Sequence, residues 1–336
     1  MKKKEKIDFN AYGLKAPGSY TSSLDDFSDF LRDVEEAEKK AGELTRETAA
    51  AKKKETEPEK APGKSLDELM AELDELVGLD KVKANVKSLI NLVKVRRLRE
   101  ENELPNTKMS LHLVFMGNPG TGKTTVARLI AGLYRAIGVL SRGQLVETDR
   151  SGLVAGYVGQ TAQKTAEVIK SAMGGVLFID EAYALTPDAA GNDFGREAVE
   201  TILKAMEDHR DDLVVIVAGY EKLMEKFIAS NPGLESRFNR YFVFEDYNGE
   251  ELYKIFDSMC AKNSYVLDSE AKNFAEKHFK RLYELRDENF GNARDVRNFF
   301  ENMVSVHSDR LAAAESPTKD DLVTVRREDL EKAAVM

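Results

Sequence analysis

From Ser65 to Arg99 the apolar residues recur at helical spacing, and beyond that point short β-branched or aromatic runs alternate with helical ones. Leu111–Met116 reads as a buried strand; after it Val126, Leu129, Ile130, Leu133, Tyr134 and Ile137 keep the i, i+3, i+4, i+7 rhythm of one helix face. Further strands are predicted at Leu145–Thr148, Val176–Ile179, Leu213–Ala218 and Tyr241–Phe244, separated by helical stretches. Continuous apolar runs interleaved with helices predict an α/β fold, a parallel sheet covered on both faces. After Tyr247 the strand signals stop. Leu252 to Met259, Ala271 to Leu282 and Val296 to Val304 predict about three amphipathic helices in a second, smaller domain. The expected division is a charged tail and linker over 1–63, an αβα domain over 64–246 and an all-helical domain over 247–336.

The first 63 residues carry Lys/Glu/Ala runs and a Pro/Glu/Lys stretch that cannot build a core. Within them Leu24, Phe27, Phe30, Leu31 and Val34 follow Ser23 at helical spacing, with Asp26 completing an N-cap signature. Two readings of that helix stay open, one folded onto the main body and one docking a partner. The net charge of −9 gives no global pull towards nucleic acid or anionic lipid, so nucleic acid is not an expected partner. One cysteine, Cys260, excludes an intramolecular disulfide or a thiolate cluster and fits a reducing, cytoplasmic setting. The histidines at 112, 209, 278 and 307 lack metal-ligand spacing. No apolar run reaches the roughly 20 residues of a membrane span, so no membrane insertion is expected.

Chemistry concentrates in Gly117-Asn-Pro-Gly-Thr-Gly-Lys123-Thr124, which fits GxxxxGK[ST] between a predicted strand and a predicted helix. Asn118, Pro119, Gly120, Thr121 and Gly122 let successive N–H groups turn towards phosphates at a helix N-terminus. Lys123 reaches the β/γ-phosphates, and Thr124, followed by Thr125, can ligate Mg²⁺. Gly175-Val-Leu-Phe-Ile-Asp180-Glu181 is a buried strand ending in two carboxylates: Asp180 is placed to position Mg²⁺ and Glu181 to activate water. Together they point to nucleoside triphosphate hydrolysis. With no Asn-Lys-x-Asp element for guanine, ATP is the expected nucleotide.

With these Walker A and Walker B elements, and with Gly156–Thr161, Val214–Tyr220 and Gly291–Asn298, the stretch from about Leu66 to Phe300 resembles AAA+ ATPases. Within them it is similar to the CbxX/CfqX family, which includes red-type Rubisco activases, sporulation stage V protein K and the EccA ATPase domain. The resemblance implies a five-stranded αβα core, a helical lid and a ring, usually a hexamer, with ATP at each subunit boundary. It also implies roles: Val77 and Gly78 at the adenine, Arg237 as an arginine finger for a neighbouring subunit, and Arg294 as the lid's sensor-2 arginine. Asn292 and Asp295 are expected to cap the Arg294 helix. Tyr157 and Val158, in Gly156-Tyr-Val-Gly159, match a polypeptide-gripping pore loop, with Arg150 nearby. Where many members carry a sensor-1 Asn this chain reads Val217-Ala-Gly-Tyr220, which leaves a second water-positioning group unassigned. The expected activity is an ATP-hydrolysing ring that remodels or threads a protein client; the alternative is an ATP-controlled assembly scaffold with little hydrolysis.

Overall fold

The computed structural model describes residues 64–105, 109–157, 159–186, 194–287, 290–314 and 316–336. The amphipathic segment Leu24–Val34 and the residue Val158 lie outside these residues.

Helix α1 (Leu66–Glu75) starts at a capping box: Glu68 N–H donates to Ser65 Oγ, and Glu68 Oε2 accepts from Ser65 N–H at 2.6 Å. After it come α2 (Asp80–Glu101), β1 (Leu113–Gly117), α3 (Lys123–Ala136), β2 (Leu145–Thr148), α4 (Arg150–Leu153), α5 (Thr161–Ala172) and β3 (Val176–Ile179). A 3₁₀ turn (Ala182–Leu185), α6 (Gly195–Asp208), β4 (Val214–Gly219), α7 (Glu221–Ala229), α8 (Pro232–Arg237) and β5 (Tyr241–Phe244) follow. The five strands form one wholly parallel sheet in the order β2-β3-β4-β1-β5. Leu113 and Phe115 pack into one core with α1, α2 and α3, while Val114 and Met116 pack into a second with α6 and α7. Both faces of β1 are therefore buried, which is why its sequence does not alternate with polar residues. The ends of β1 and β4 lie one or two residues from their expected places.

The remainder comprises α9 (Gly249–Lys262), β6 (Val266–Leu267), α10 (Ser269–Glu284), α11 (Ala293–Ala312), α12 (Lys319–Val323), β7 (Thr324–Val325) and α13 (Arg327–Ala333). Its core packs Phe279 and Phe299 at a tilt against Phe256, each ring centroid 5.3 Å away. It is helical apart from one two-residue ladder, and its helices exceed the expected three or so. Val266–Leu267 pairs in parallel with Thr324–Val325, and two residues carry no periodicity from which such a ladder is read. Asp329, fully buried on α13, is held by Arg310 of α11 at 2.8 and 2.9 Å, so the C-terminal helix is tied to the rest by a charge pair as well as by Leu330.

His112 is buried and its Nδ1 accepts the Val215 N–H at 3.0 Å. Burial, and secondarily the Arg237 charge, push its pKa from 6.5 down to about 4. Below pH 6.5 the unfolded chain binds a proton that the native state refuses, so stability present at pH 7 is lost as pH falls towards 4. The expected loss is at most about 3 kcal/mol. Urea denaturation of wild type and His112→Asn, which retains an acceptor near the Nδ1 position, measures it; the variant is expected to lose distinctly less stability between pH 7 and 4.5.

Candidate nucleotide site

In a parallel sheet all carboxyl ends face one edge, and ligands of open α/β sheets bind along it. Here that edge presents Gly117 at the end of β1, Asp180 and Glu181 after β3, Tyr220 after β4 and Asp246 beyond β5. Gly117 sits at φ 152°, and a Cβ there would lie 2.3 Å from the Phe244 carbonyl oxygen. Gly120 has φ 70°, and a Cβ would lie 2.1 Å from the Gly291 carbonyl oxygen. Glycine at these two positions lets the loop pass between β5 and the start of α11. The loop ends at Gly122, and α3 begins with Lys123, so the helix N-terminus opens where the lysine stands.

The Lys123 ammonium donates to the carbonyls of Gly117 at 2.9 Å and Asn118 at 2.7 Å. Burial lowers its pKa; Asp180, Asp246 and Glu181 pull it back up, while Arg294 pushes it further down. Asp180 receives Glu181 N–H on Oδ1 at 3.0 Å. Glu181 itself adopts φ 48°, ψ 40°, a left-handed conformation that a glutamate holds only under surrounding constraint. Both carboxylates are exposed. Beside them the Tyr183 ring lies 6.2 Å from that of Tyr220, and its hydroxyl is pushed up to about 12 by burial first and then by Glu181.

A cleft of about 520 Å³ gathers Gly117, Pro119, Gly120, Gly122, Lys123, Thr124, Thr125, Asp180, Glu181 and, from α11, Arg294. Asn118 and Thr121 support it from behind: the buried Thr121 hydroxyl donates to Asn118 O at 2.8 Å. Val77 and Gly78 do not line it; the segment reaches the loop through Leu79, whose Cδ1 packs beside Gly122. Arg237 lines a different cavity of about 780 Å³, where its guanidinium meets Glu207 Oε2 at 3.2 Å. Tyr157 is 75% exposed, and Gly156 has open space where a Cβ would stand. Arg150, at the start of the helix that leads into that loop, donates to the Ala184 carbonyl at 2.7 Å, tying α4 to the turn after Glu181.

One expected cap is corrected. Asn292 makes no capping bond to α11; its amide turns back to Asp246 and the phosphate loop, and it is Asp295 that accepts the Gly291 N–H at 2.8 Å. Sequence reasoning also missed Arg128 and Arg297 as cleft residues. Arg297 was accessible to it, lying one helical turn beyond Arg294, and so was Arg128, one turn beyond Thr125; Tyr220, from the segment expected at the sensor-1 position, lines the cleft at the end of β4.

Family models match in two blocks: the ATPase family associated with various cellular activities (AAA) over residues 113–246 and the AAA lid domain over 248–335. The stage V sporulation protein K of Bacillus subtilis is 41% identical over 79% of this chain and 82% of that protein. The plasmid CbxX protein of Cupriavidus necator is 43% identical over 78% and 83%. The chloroplastic ribulose bisphosphate carboxylase/oxygenase activase of Cyanidioschyzon merolae is 42% identical over 80% and 92%. Among solved structures, a point mutant of Thermotoga maritima RuvB superposes with TM-score 0.53 at 20% identity, covering 78% of this chain and 71% of that one. At that identity the likeness concerns the fold. Fold and cleft thus define a nucleotide-binding AAA domain with its lid. The chain belongs to the CbxX family of AAA ATPases.

Proposed function

We propose that this protein is an ATP-hydrolysing, ring-forming remodeller of a protein client. The observation that carries the reading is the distribution of charged groups: Lys123, Asp180, Glu181 and Arg294 share one cleft, while Arg237 stands in another. Lys123 would leave the loop carbonyls for the β/γ-phosphates, and Glu181 would take the proton of the attacking water. Arg294 would meet the γ-phosphate from the lid. Arg237 would stabilise the same γ-phosphoryl oxygens from a neighbouring copy. Thr124 and Asp180 fit Mg²⁺, hydroxyl and carboxylate being the oxygen donors such an ion takes; when bound it would neutralise phosphate charge.

Tyr157 suits client contact because an aromatic ring grips a peptide without reading its sequence, and here the ring stands in solvent. The Arg150–Ala184 bond supports transmission, since it links the helix before this loop to the turn after the hydrolytic carboxylate. Protein rather than nucleic acid is the proposed client, in keeping with the net charge of −9, and a cytoplasmic setting is the proposed location.

Steady-state ATPase per subunit, measured with Mg²⁺ against protein concentration, tests the reading. The expected rate climbs and saturates as rings, expected to be hexameric, assemble. Absence of hydrolysis at every concentration would sink it.

A further inference from the structure

Asp246 lies between β5 and α9 and accepts hydrogen bonds from two amides that belong to different parts of the molecule. Asn118, on the phosphate loop, donates to its Oδ1 at 2.9 Å and Oδ2 at 3.1 Å; Asn292, where α11 begins, donates to Oδ1 at 2.8 Å. The Asn292 amide also reaches the Pro119 carbonyl at 3.3 Å, and its Oδ1 accepts Tyr247 N–H at 2.9 Å. One residue on, Ala293 N–H donates to the Gly120 carbonyl at 3.2 Å. The start of the lid helix is thus bonded to the phosphate loop directly, through backbone, and indirectly, through a shared carboxylate.

The backbone of Asn292 makes the side chain's purpose legible. It sits at φ 54°, ψ −126°, a region that glycine enters freely and asparagine at a cost. It does not cap the helix, so a cap does not explain its presence, and it is fully buried. What offsets the strain is the set of bonds to Asp246, Pro119 and Tyr247. On the loop side the Asn118 carbonyl receives both Lys123 Nζ and the Thr121 hydroxyl, so departure of the lysine towards a phosphate alters the residue that Asp246 holds.

We infer that Asn292 is a positioning residue: through Asp246 and Asn118 it couples the state of the phosphate loop to the seating of the lid, and so sets Arg294, two residues on, against the cleft. The inference rests on the ATPase reading above and adds to it a linkage made by side chains that never touch the reacting atoms.

The test is Asn292→Gly, which keeps the backbone conformation comfortable while deleting the bridge. Thermal stability is expected to hold or rise. The ATP turnover number is expected to fall about tenfold with KM for ATP changed less than about twofold. Asn118→Ala should also lower turnover, and the double variant should be about as slow as the slower single one rather than the product of both losses. A distance measurement gives an independent reading. The lone Cys260 is buried, so spin labels can be placed at Glu225→Cys on α7 and Lys277→Cys on α10, both exposed, and followed on adding ATP and Mg²⁺ in a Glu181→Gln background. An ATP-driven shift that vanishes with Asn292→Gly is expected. Turnover within about twofold of wild type, or a shift that survives, overturns the inference. If wild type hydrolyses nothing, the ATPase reading fails while the distance shift still decides the linkage. Should Asn292→Gly unfold, Asp246→Asn carries the same two measurements with the backbone untouched.

Discussion

Glu181→Gln is expected to bind ATP as wild type does and to hydrolyse it about 10²–10⁴ times more slowly, the usual worth of a positioned general base. The substitution keeps shape and removes only the ability to accept a proton, so it separates chemistry from folding. The local structure makes that separation clean. Glu181 is exposed, and its left-handed backbone is held from outside the side chain: Glu181 N–H is anchored on Asp180 Oδ1, and its carbonyl receives Ala184 N–H at 2.8 Å. Glutamine inherits the same constraint, so stability should be unchanged within about 0.5 kcal/mol. The measurements are steady-state phosphate release at saturating ATP and the dissociation constant of ATP by calorimetry. Hydrolysis within tenfold of wild type would mean that some other group handles the water proton, and Glu181 would lose its assigned role.

How much of this arrangement could be read from the chain alone follows from how local each signal is. The expected bounds of β2, β3 and β5 coincide with the observed ones; for β3 the reason is plain, since Val176–Ile179, buried at every position, is bounded by glycine on one side and carboxylates on the other. The phosphate loop is legible for the same reason: one short segment contains the whole device, from Gly117 to Lys123. The five-stranded parallel sheet expected from the family resemblance is the one observed.

Legibility ends where a function is divided between distant segments. Asp246 carries no local mark, and its partners Asn118 and Asn292 are 128 and 46 residues away. Asn292 even offers a misleading signal, since Asn followed by Asp three positions on is an ordinary helix start. Only its positive φ and complete burial reveal that the side chain faces backwards. The lid's two-residue ladder escaped for a related reason, each strand being too short to repeat even the two-residue period of a strand.

Arg237→Ala should lower ATP hydrolysis by about 10³–10⁵, the range that a transition-state arginine contributes, while leaving ATP binding to the subunit's own loop intact. The prediction differs in kind from that for Glu181, because Arg237 does not share the cleft with Lys123. It lies at the end of α8 with Glu207 Oε2 at 3.2 Å, and its Nε finds no hydrogen-bond partner among the described residues. Because Arg237 and Lys123 line different cavities, the proposed role for Arg237 is at the nucleotide of another copy of the chain, which makes complementation the decisive experiment. Mix Arg237→Ala with Glu181→Gln, each expected to be inactive alone. In a mixed ring, a boundary formed by the intact Glu181 of the first and the intact Arg237 of the second is complete. With random 1:1 assembly about a quarter of the boundaries are of this kind, so the mixture should recover roughly a quarter of the wild-type rate if boundaries act independently. Recovery requires both that subunits exchange and that the arginine acts across the boundary. If the mixture stays inactive although the two variants are shown to co-assemble, Arg237 belongs to its own subunit's architecture, and its bond to Glu207 becomes a fastening between α8 and α6 rather than the resting place of a catalytic finger.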